Sequence, residues 1–234
     1  MDGVFAPMGE AGRLRSWSGA GLLVARRSDL HGTPWLGPAE RVVAGVLPAG
    51  RRAEWLAGRL LAKRLLGEVT GLPPQRLAVL PRPDGSPYAL LDGVPAPGVH
   101  LSVSHTERYV AAALAPVPVG VDLCETTSAG AVRRVAEHVF TAAERALVGA
   151  AGGGGPGDPD TAGAAALAGA WALKEAAVKA DRGSVFGDAP RRVPLLGLCP
   201  PRLGGGRRAM VWRAEGVVLA LVLVPAGPAG SASP

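Results

Sequence analysis

Apolar residues recur at the spacing of an amphipathic helix in three segments of the chain. These segments are residues 54–66 (EWLAGRLLAKRLL), 133–148 and 164–181. Within the second segment, Thr141 and Glu144 have the T-x-x-E spacing of a capping box, in which two side chains accept hydrogen bonds from free backbone N–H groups at a helix start. We therefore predict a helix in each segment, with a new helix beginning at Thr141.

Short apolar runs bounded by turn residues predict strands elsewhere in the chain. Three such runs follow one another at residues 99–104, 109–115 and 117–123, and two more lie at 209–213 and 217–224. Because helices and strands are mixed along the chain, the predicted fold class is α+β. The last of these runs is the longest apolar stretch, and it is far too short to span a bilayer.

The order of the elements suggests two similar α/β halves that meet near residues 115–119. We predict an N-terminal half over residues 1–116 and a C-terminal half over residues 117–225. Residues 149–163 (GAAGGGGPGDPDTAG) are rich in glycine and cannot pack a core, so a flexible loop is expected there. Residues 226–234 are expected to form a disordered tail.

Composition indicates a globular protein without structural disulfides. The chain has 234 residues, which is enough to bury a core, and 48% of them are hydrophobic. Cys124 and Cys199 are too few for a disulfide framework or a four-ligand zinc site. The N-terminus has no apolar run of signal-peptide length, so we expect a cytoplasmic protein that does not bind membranes.

The net charge indicates an anionic partner. The chain carries a formal charge of +6 and has a pI near 10.1. Nucleic acid, a phosphorylated cofactor and an acidic protein would all suit such a charge. Only three Phe and two Tyr accompany the basic residues, and no aromatic and basic run resembles an RNA-binding strand. Charge alone leaves these three classes of partner open.

Lysine is rare in this chain, and two lysines lie close to one glutamate. Lys174 and Lys179 flank Glu175, whereas nearly all the other basic residues are arginine. Trp171, Glu175 and Lys179 share one helix face, and Lys174 is rotated by about 100° from Glu175. One interpretation is an exposed Glu–Lys pair worth about 0.3 kcal/mol. The other is a cleft in which Glu175 holds a divalent ion while Lys174 and Lys179 contact a pyrophosphate.

Two predicted strands end in polar residues. Asp122 faces away from the apolar side of its strand, where it is either a turn residue or a ligand of Mg²⁺, which prefers hard oxygen atoms. Ser104 and His105 lie where an earlier strand turns. They are either hydrogen-bonded turn residues or a pair that donates hydrogen bonds to phosphate.

Taken in order, these motifs resemble those of the Sfp-type 4′-phosphopantetheinyl transferases. Members of that family have a Ser-His pair at a strand end, a G-x-D-x-E strand, an F-[ST]-x-x-E segment and W-x-x-K-E-x-x-x-K on a helix. The corresponding stretches here are residues 104–105, 120–122, 140–144 and 171–179. Residues 51–59 (RRAEWLAGR) are similar to the arginine-rich helix start of the enterobactin-synthase branch.

The resemblance implies a fold and a reaction. The family fold is a pseudo-dimer of two similar α/β halves, with coenzyme A in the cleft between them, which also favours a monomer. The family reaction moves the 4′-phosphopantetheine arm of coenzyme A to a serine of an apo acyl or peptidyl carrier protein and releases 3′,5′-ADP. Carrier proteins are acidic, so the basic surface would accelerate their encounter.

The resemblance also implies roles at the reacting centre. Asp122 and Glu175 would hold Mg²⁺, and Glu175 would deprotonate the acceptor serine directly or through water. Lys179 would neutralise the pyrophosphate, with Lys174 as a second cofactor-binding ammonium group. A lysine ammonium is a compact charge that fits beside a metal, whereas the planar arginine fork needs a wider site.

Further residues are implied at the nucleotide end of coenzyme A. Ser104 and His105 would contact its phosphates. Arg51 and Arg52 would lie near the 3′-phosphate. No nucleic acid is expected as a partner under this interpretation.

The chain departs from the family pattern at two positions. Cys124 stands where the family has its second strand carboxylate, and Glu125 follows one residue later. On a regular strand Glu125 faces away from Asp122, and a thiol is a poor ligand for Mg²⁺, so we expect neither in the metal site. Ser86 stands where many relatives have a basic residue, and Arg82 is a nearby substitute.

Two alternatives to a transferase stay open from the sequence. A relative without turnover could bind coenzyme A or a carrier protein, and Cys124 and Ser86 favour this hypothesis. A basic nucleic-acid-binding module is supported by the pI alone.

Overall fold

The computed structural model describes residues 13–32, 34–152, 159–182, 189–214 and 216–225. Within these ranges the helices are α1 (Pro38–Val46), α2 (Ala49–Thr70), α3 (Ala129–Val139), α4 (Ala142–Gly152), α5 (Pro159–Ala180) and α6 (Ala189–Arg192). The strands are β1 (Arg15–Trp17), β2 (Ala20–Arg26), β3 (Leu77–Pro81), β4 (Pro87–Leu91), β5 (Val94–Pro95), β6 (His100–His105), β7 (Tyr109–Ala115), β8 (Val119–Glu125), β9 (Leu195–Leu198), β10 (Pro201–Leu203), β11 (Arg208–Ala214) and β12 (Val217–Leu223).

Two antiparallel sheets form the centre of the protein. The first has the strand order β1-β2-β7-β6, and the second has the order β11-β12-β8. Smaller sheets, β3-β4-β5 and β9-β10, lie beside them. One buried cluster contains side chains of both central sheets, among them Leu22, Tyr109, Val121 and Leu219. The sheets therefore share a hydrophobic core, and the mixture of helix and sheet agrees with the predicted α+β class.

Helix α2 packs on the first sheet through a leucine face. Leu61, Leu65 and Leu66 are fully buried in one cluster with Leu77 and Val110. Burying a leucine side chain stabilises a fold by roughly 2 kcal/mol, so this face holds the helix on the sheet. The same helix carries the predicted arginine-rich segment along its first turns.

Helix α5 packs unusually closely on strand β8 because both surfaces are made of small residues. Ala172, Ala176 and Ala180 are buried on one helix face. At Gly120 of β8, an added Cβ atom would lie 1.8 Å from the carbonyl oxygen of Ala176. Only glycine fits at that position, and the close approach carries the polar face of α5 toward the end of β8.

Serine side chains connect the edges of the two central sheets. The backbone N–H of Val121 donates to Ser102 Oγ at 3.0 Å, and that of Leu123 donates to Ser104 Oγ at 3.1 Å. Strands β6 and β8 are thus neighbours, although each belongs to a different sheet. The end of β6 and the polar side of β8 are brought together in this way.

Several sequence predictions are confirmed. The predicted strand 109–115 coincides with β7, and the other four predicted strands agree with β6, β8, β11 and β12 to within two residues. The capping box also forms, since the N–H of Thr141 donates to Glu144 Oε2 at 2.8 Å and the N–H of Glu144 donates to Thr141 Oγ1 at 3.3 Å.

Other predictions differ from the structure. Helices α2 and α5 are longer than predicted, because each added residue gains a hydrogen bond and alanine is a strong helix former. The predicted loop 149–163 is therefore shorter, since α4 continues to Gly152 and α5 begins at Pro159. Residues 153–158 and the predicted tail 226–234 lie outside the described residues. The division into similar halves at residues 116 and 117 stays a prediction.

The sequence patterns did not predict α1, α6 or the strands β1 to β5, β9 and β10. Apart from the seven-residue β2, these strands have five residues or fewer, and a short apolar run does not distinguish a strand from a buried helical turn. Among the described residues, none of the helices combines the length and the apolar character that crossing a bilayer requires.

Candidate active site

Asp122 lies on the polar side of β8, in register with Ala220 of β12. Its side chain is 7% exposed. Asp122 Oδ1 accepts hydrogen bonds from Ser104 Oγ at 2.8 Å and from Lys179 Nζ at 2.6 Å. The carboxylate is therefore held in one orientation by a strand of the other sheet and by α5.

Glu175 lies one turn before Lys179 on α5, so the two side chains project from the same helix face. Among the described residues, none donates a hydrogen bond to the side-chain carboxylate of Glu175, although this residue is partly buried. Burial, followed by the nearby charge of Asp122, raises the pKa of Glu175 to about 7, while Lys179 acts in the opposite direction. The charges of Asp122 and Glu175 therefore lie close together, and the ammonium group of Lys179 compensates one of these two negative charges.

The structure places Cys124 and Glu125 as expected from a regular strand. Cys124 is buried on the same side of β8 as Asp122, and burial raises the pKa of its thiol to about 12, with Asp122 and Glu175 as the next contributors. The thiol is therefore neutral. Glu125 accepts from Arg108 Nε at 3.1 Å instead of approaching Asp122.

Ser104 does not lie where the sequence predicted. We expected an outward side chain in contact with phosphate, but Ser104 is 4% exposed. Its hydroxyl donates to Asp122 and accepts from the Leu123 N–H. Burial between two sheet edges corrects the prediction, and Ser104 orients Asp122 rather than facing a ligand.

His105 is exposed at the end of β6, at the border of two cavities. Its Nε2 lies 3.9 Å from Glu54 Oε2, and Arg51 Nη1 lies 3.6 Å from the same oxygen. Burial lowers the pKa of His105; Glu54 opposes this effect, and Lys179 and other nearby cations add to it. A neutral imidazole and an exposed arginine therefore border this part of the cleft, and their contact with coenzyme A stays a prediction.

The structure contradicts the predicted role of Arg52. Its guanidinium donates to three carbonyl oxygens at the end of α1, those of Ala44, Gly45 and Leu47, at 2.8, 3.3 and 2.9 Å. Carbonyl groups at a helix end lack the N–H donors of a following turn, and Arg52 supplies donors to them, so Arg52 caps α1. The N–H groups of Arg52 therefore bind backbone carbonyl groups and are not available to a phosphate.

The structure also contradicts the predicted role of Lys174, which is 1% exposed. The ammonium group donates to Glu144 Oε1 at 2.5 Å and to the carbonyl oxygens of Pro190 and Val193 at 2.9 and 2.8 Å. An ammonium group has three donors, and all three are used. Lys174 therefore ties α5 to α4 and α6 and has no donor left for a cofactor.

Arg59 is a site residue that sequence analysis missed. It is 7% exposed, it stacks 4.5 Å from the ring centre of Trp55, and its Nε has no hydrogen-bond partner in the described part of the chain. Burial lowers the pKa of Arg59 to about 10, although Glu40 opposes the shift. A buried guanidinium with a free donor is costly, so it marks a place where an anion is expected. The arginine-rich motif of residues 51–59 ends at Arg59, but the sequence prediction assigned a role to Arg51 and Arg52 only.

Two adjoining cavities open beside these residues. One has a volume of about 330 Å³ and is bordered by Glu175 and Lys179, and the other has a volume of about 310 Å³ and is bordered by His105 and Arg59. Both are lined by Gly85, Pro87 and Val103, so they form one continuous cleft. Arg51, Arg82, His100 and Arg182 also line the cleft, together with the carboxylates of Glu54 and Asp84.

The turn that contains Ser86 lies on the border of both cavities. Ser86 donates from its backbone N–H and its hydroxyl to Asp84, at 2.9 and 2.7 Å, and this fixes the turn. Arg82 lines the same cavity as Ser86, and one of its nitrogens donates to the Pro87 carbonyl at 2.8 Å. Arg82 is therefore near enough to supply the charge that Ser86 lacks, as the sequence suggested.

Comparison with known proteins finds one family that is similar to part of the chain. The family model of the 4′-phosphopantetheinyl transferase superfamily (ACPS) matches residues 118–198, which is about a third of the chain. No curated protein matches the chain. The matched segment contains Glu175 and Lys179, which line the cleft, and Asp122, which accepts a hydrogen bond from Lys179. Over this segment the chain is therefore similar to the 4′-phosphopantetheinyl transferase superfamily, a family of transferases that depend on coenzyme A.

Proposed function

We propose that the protein transfers the 4′-phosphopantetheine arm of coenzyme A to a serine of an apo acyl or peptidyl carrier protein, with Mg²⁺, and releases 3′,5′-ADP. One observation carries this proposal: within the described ranges the Glu175 carboxylate has no hydrogen-bond partner, and it lies near the charges of Asp122 and Lys179 at the border of a cationic cleft. We further propose that the protein belongs to the Sfp-type, enterobactin-synthase-like branch and that it acts as a monomer in the cytoplasm.

The donor set at this place suits a magnesium ion that is shared with a diphosphate. Mg²⁺ is usually held by one or two carboxylates together with substrate phosphates and water. Asp122 and Glu175 supply the two carboxylates, whereas the neutral thiol of Cys124 is a poor ligand. No group of three His, Cys, Asp or Glu residues that could hold a metal occurs in the described ranges. The ion would therefore depend on coenzyme A for its remaining ligands.

The cleft has the charge that a nucleotide requires. In the smaller cavity, Arg59 and Arg51 supply guanidinium groups and His105 supplies a neutral donor. In the larger cavity, Arg82 and Arg182 line the same space as Lys179. Guanidinium groups bind phosphate through paired hydrogen bonds. We assign the phosphates of the nucleotide to these residues.

The remaining groups fit phosphoryl transfer to a hydroxyl. Glu175, with a pKa near 7, accepts the proton of the acceptor serine directly or through water, since a general base works best near the ambient pH. Lys179 neutralises charge on the diphosphate and on the leaving 3′,5′-ADP. A bound Mg²⁺ would polarise the reacting phosphoryl group. Ser104 keeps Asp122 in the orientation that such an ion needs.

A second candidate is a relative that binds coenzyme A without turnover. The observation that favours it is Cys124, because its thiol does not replace a third carboxylate beside Asp122 and Glu175. This candidate predicts tight binding of coenzyme A and no change in any carrier protein.

The test is to incubate the protein with coenzyme A, Mg²⁺ and several apo carrier proteins and to weigh the carriers by mass spectrometry. We expect the mass of one phosphopantetheine group to be added, and to be lost when a chelator removes the metal. Asp122→Asn and Glu175→Gln should each lower the rate by at least about 100-fold. Glu137→Gln, at an exposed position of α3, is the matched control and should keep full activity. Binding of coenzyme A without any modified carrier would select the second candidate.

A further inference from the structure

The smaller cavity of the cleft, of about 310 Å³, contains one negative charge among its positive ones. Its polar lining consists of the guanidinium groups of Arg51 and Arg59, the imidazole of His105 and the carboxylate of Glu54. Among the described residues that line this cavity, Glu54 is the only acidic one. A carboxylate repels phosphate, so its presence where nucleotide phosphates are assigned has a cost for binding.

Glu54 lies between two of the groups that would bind phosphate. Its Oε2 atom is 3.6 Å from Arg51 Nη1, in the first turns of α2, and 3.9 Å from His105 Nε2, at the end of β6. A hydrogen bond from nitrogen to oxygen is about 2.7–3.2 Å long, so neither contact is a hydrogen bond. Glu54 therefore lies beside both groups without satisfying their donors.

Water reaches all three of these side chains, so a ligand can exchange their contacts. The side chains of Arg51, Glu54 and His105 are 74%, 30% and 35% exposed. An ion pair that is in contact with water contributes little to the stability of a fold. The fold therefore does not depend on the contact between Arg51 and Glu54, and a phosphate group can take the place of the carboxylate.

Arg59 differs from Arg51 in this respect. It is buried, it stacks on the ring of Trp55, and its Nε has no hydrogen-bond partner in the described part of the chain. Burial lowers the pKa of Arg59, and the acidic residue that opposes this shift is Glu40. A phosphate can therefore bind Arg59 where it stands, whereas Arg51 has to exchange Glu54 for the phosphate.

We propose that Glu54 is an internal counter-ion of the nucleotide site, which Arg51 and His105 exchange for a phosphate group and which limits how tightly that phosphate is held; this inference rests on the proposed function. The carboxylate stays close to the bound phosphate, so their repulsion weakens the complex. Coenzyme A and 3′,5′-ADP share the phosphorylated nucleoside, and Glu54 weakens the binding of both. Weaker binding speeds the release of 3′,5′-ADP after each turnover and frees the cleft for coenzyme A.

The test is the affinity of the full chain for 3′,5′-ADP, measured by calorimetry without a carrier protein, so that turnover is not needed. Glu54→Gln removes the charge and keeps the size of the side chain. We expect this variant to bind 3′,5′-ADP about tenfold more tightly than the wild type and to release it about tenfold more slowly in stopped-flow experiments. A gain of affinity cannot result from a folding defect.

Glu68→Gln is the matched control and should keep the wild-type affinity. Glu68 is an exposed glutamate of the same helix that pairs with Arg64, and it lines neither cavity of the cleft. Because the effect is electrostatic, the gain of Glu54→Gln should shrink as the salt concentration rises from about 0.02 M to about 0.5 M.

Two results would overturn the counter-ion. Unchanged or weaker binding of 3′,5′-ADP by Glu54→Gln would show that Glu54 does not oppose the phosphate. A gain of the same size at both salt concentrations would show that charge is not its cause. If the wild type binds 3′,5′-ADP and Glu54→Gln binds it more tightly, but neither modifies a carrier protein, the proposed function fails while the counter-ion stands.

Discussion

Replacing Glu175 by glutamine should make the metal-free protein more stable at alkaline pH. The pKa of Glu175 is raised from 4.5 to about 7, first by burial and then by Asp122, so the folded state favours the protonated form. The folded chain then binds more protons than the unfolded chain between about pH 4.5 and pH 7, and stability falls as the pH rises through this window. Glutamine stays neutral and avoids this loss.

The magnitude follows from the size of the shift. Each tenfold change in an ionisation constant is worth about 1.4 kcal/mol, so full ionisation of Glu175 costs at most about 3 kcal/mol. Glu175 is partly exposed, and solvent screening reduces this figure to about 2 kcal/mol. For a chain of this length the melting temperature should rise by about 4–8 °C at pH 8 and by little at pH 4.5.

The assay is thermal unfolding of wild type, Glu175→Gln and the control Glu137→Gln in chelator, from pH 4.5 to pH 8.5. The control replaces an exposed glutamate of α3 and should follow the wild type. Adding Mg²⁺ with coenzyme A at pH 8 should stabilise the wild type and have little effect on Glu175→Gln. A variant that is less stable than wild type at pH 8, or a difference that does not change with pH, would refute the reasoning.

Three further outcomes are expected. Asp122→Ala should abolish transfer while Glu125→Ala retains most of it, because Arg108 holds Glu125 away from the site; equal losses in steady-state kinetics would contradict this assignment. Gly120→Ala should destabilise the fold by about 3 kcal/mol, since its Cβ would meet the backbone of α5. Gly130→Ala, whose added Cβ has open space, should be neutral or stabilising in the same thermal melts. Arg59→Met should weaken coenzyme A binding by about tenfold in calorimetry without lowering thermal stability, because the buried guanidinium has an unpaired donor; unchanged affinity would remove Arg59 from the site.

Local patterns allowed several features to be predicted from the sequence. The capping box of Thr141 and Glu144, the bounds of β7 and the shared face of Trp171, Glu175 and Lys179 depend on residues a few positions apart. Hydrogen-bond geometry and the period of the helix determine such local features, so the sequence alone is sufficient to predict them. The side of β8 that carries Asp122 follows from strand alternation in the same way.

The tertiary structure decided which of the polar side chains face the cleft. Lys174 pairs with Glu144, thirty residues away, and Ser104 is enclosed where the edges of two sheets meet. Arg52 caps the preceding helix, whereas Arg59, on the same helix, is buried beside the cleft with an unpaired donor. These outcomes depend on which elements pack together, because the desolvation of a charge and the partners that compensate for it come from distant parts of the chain.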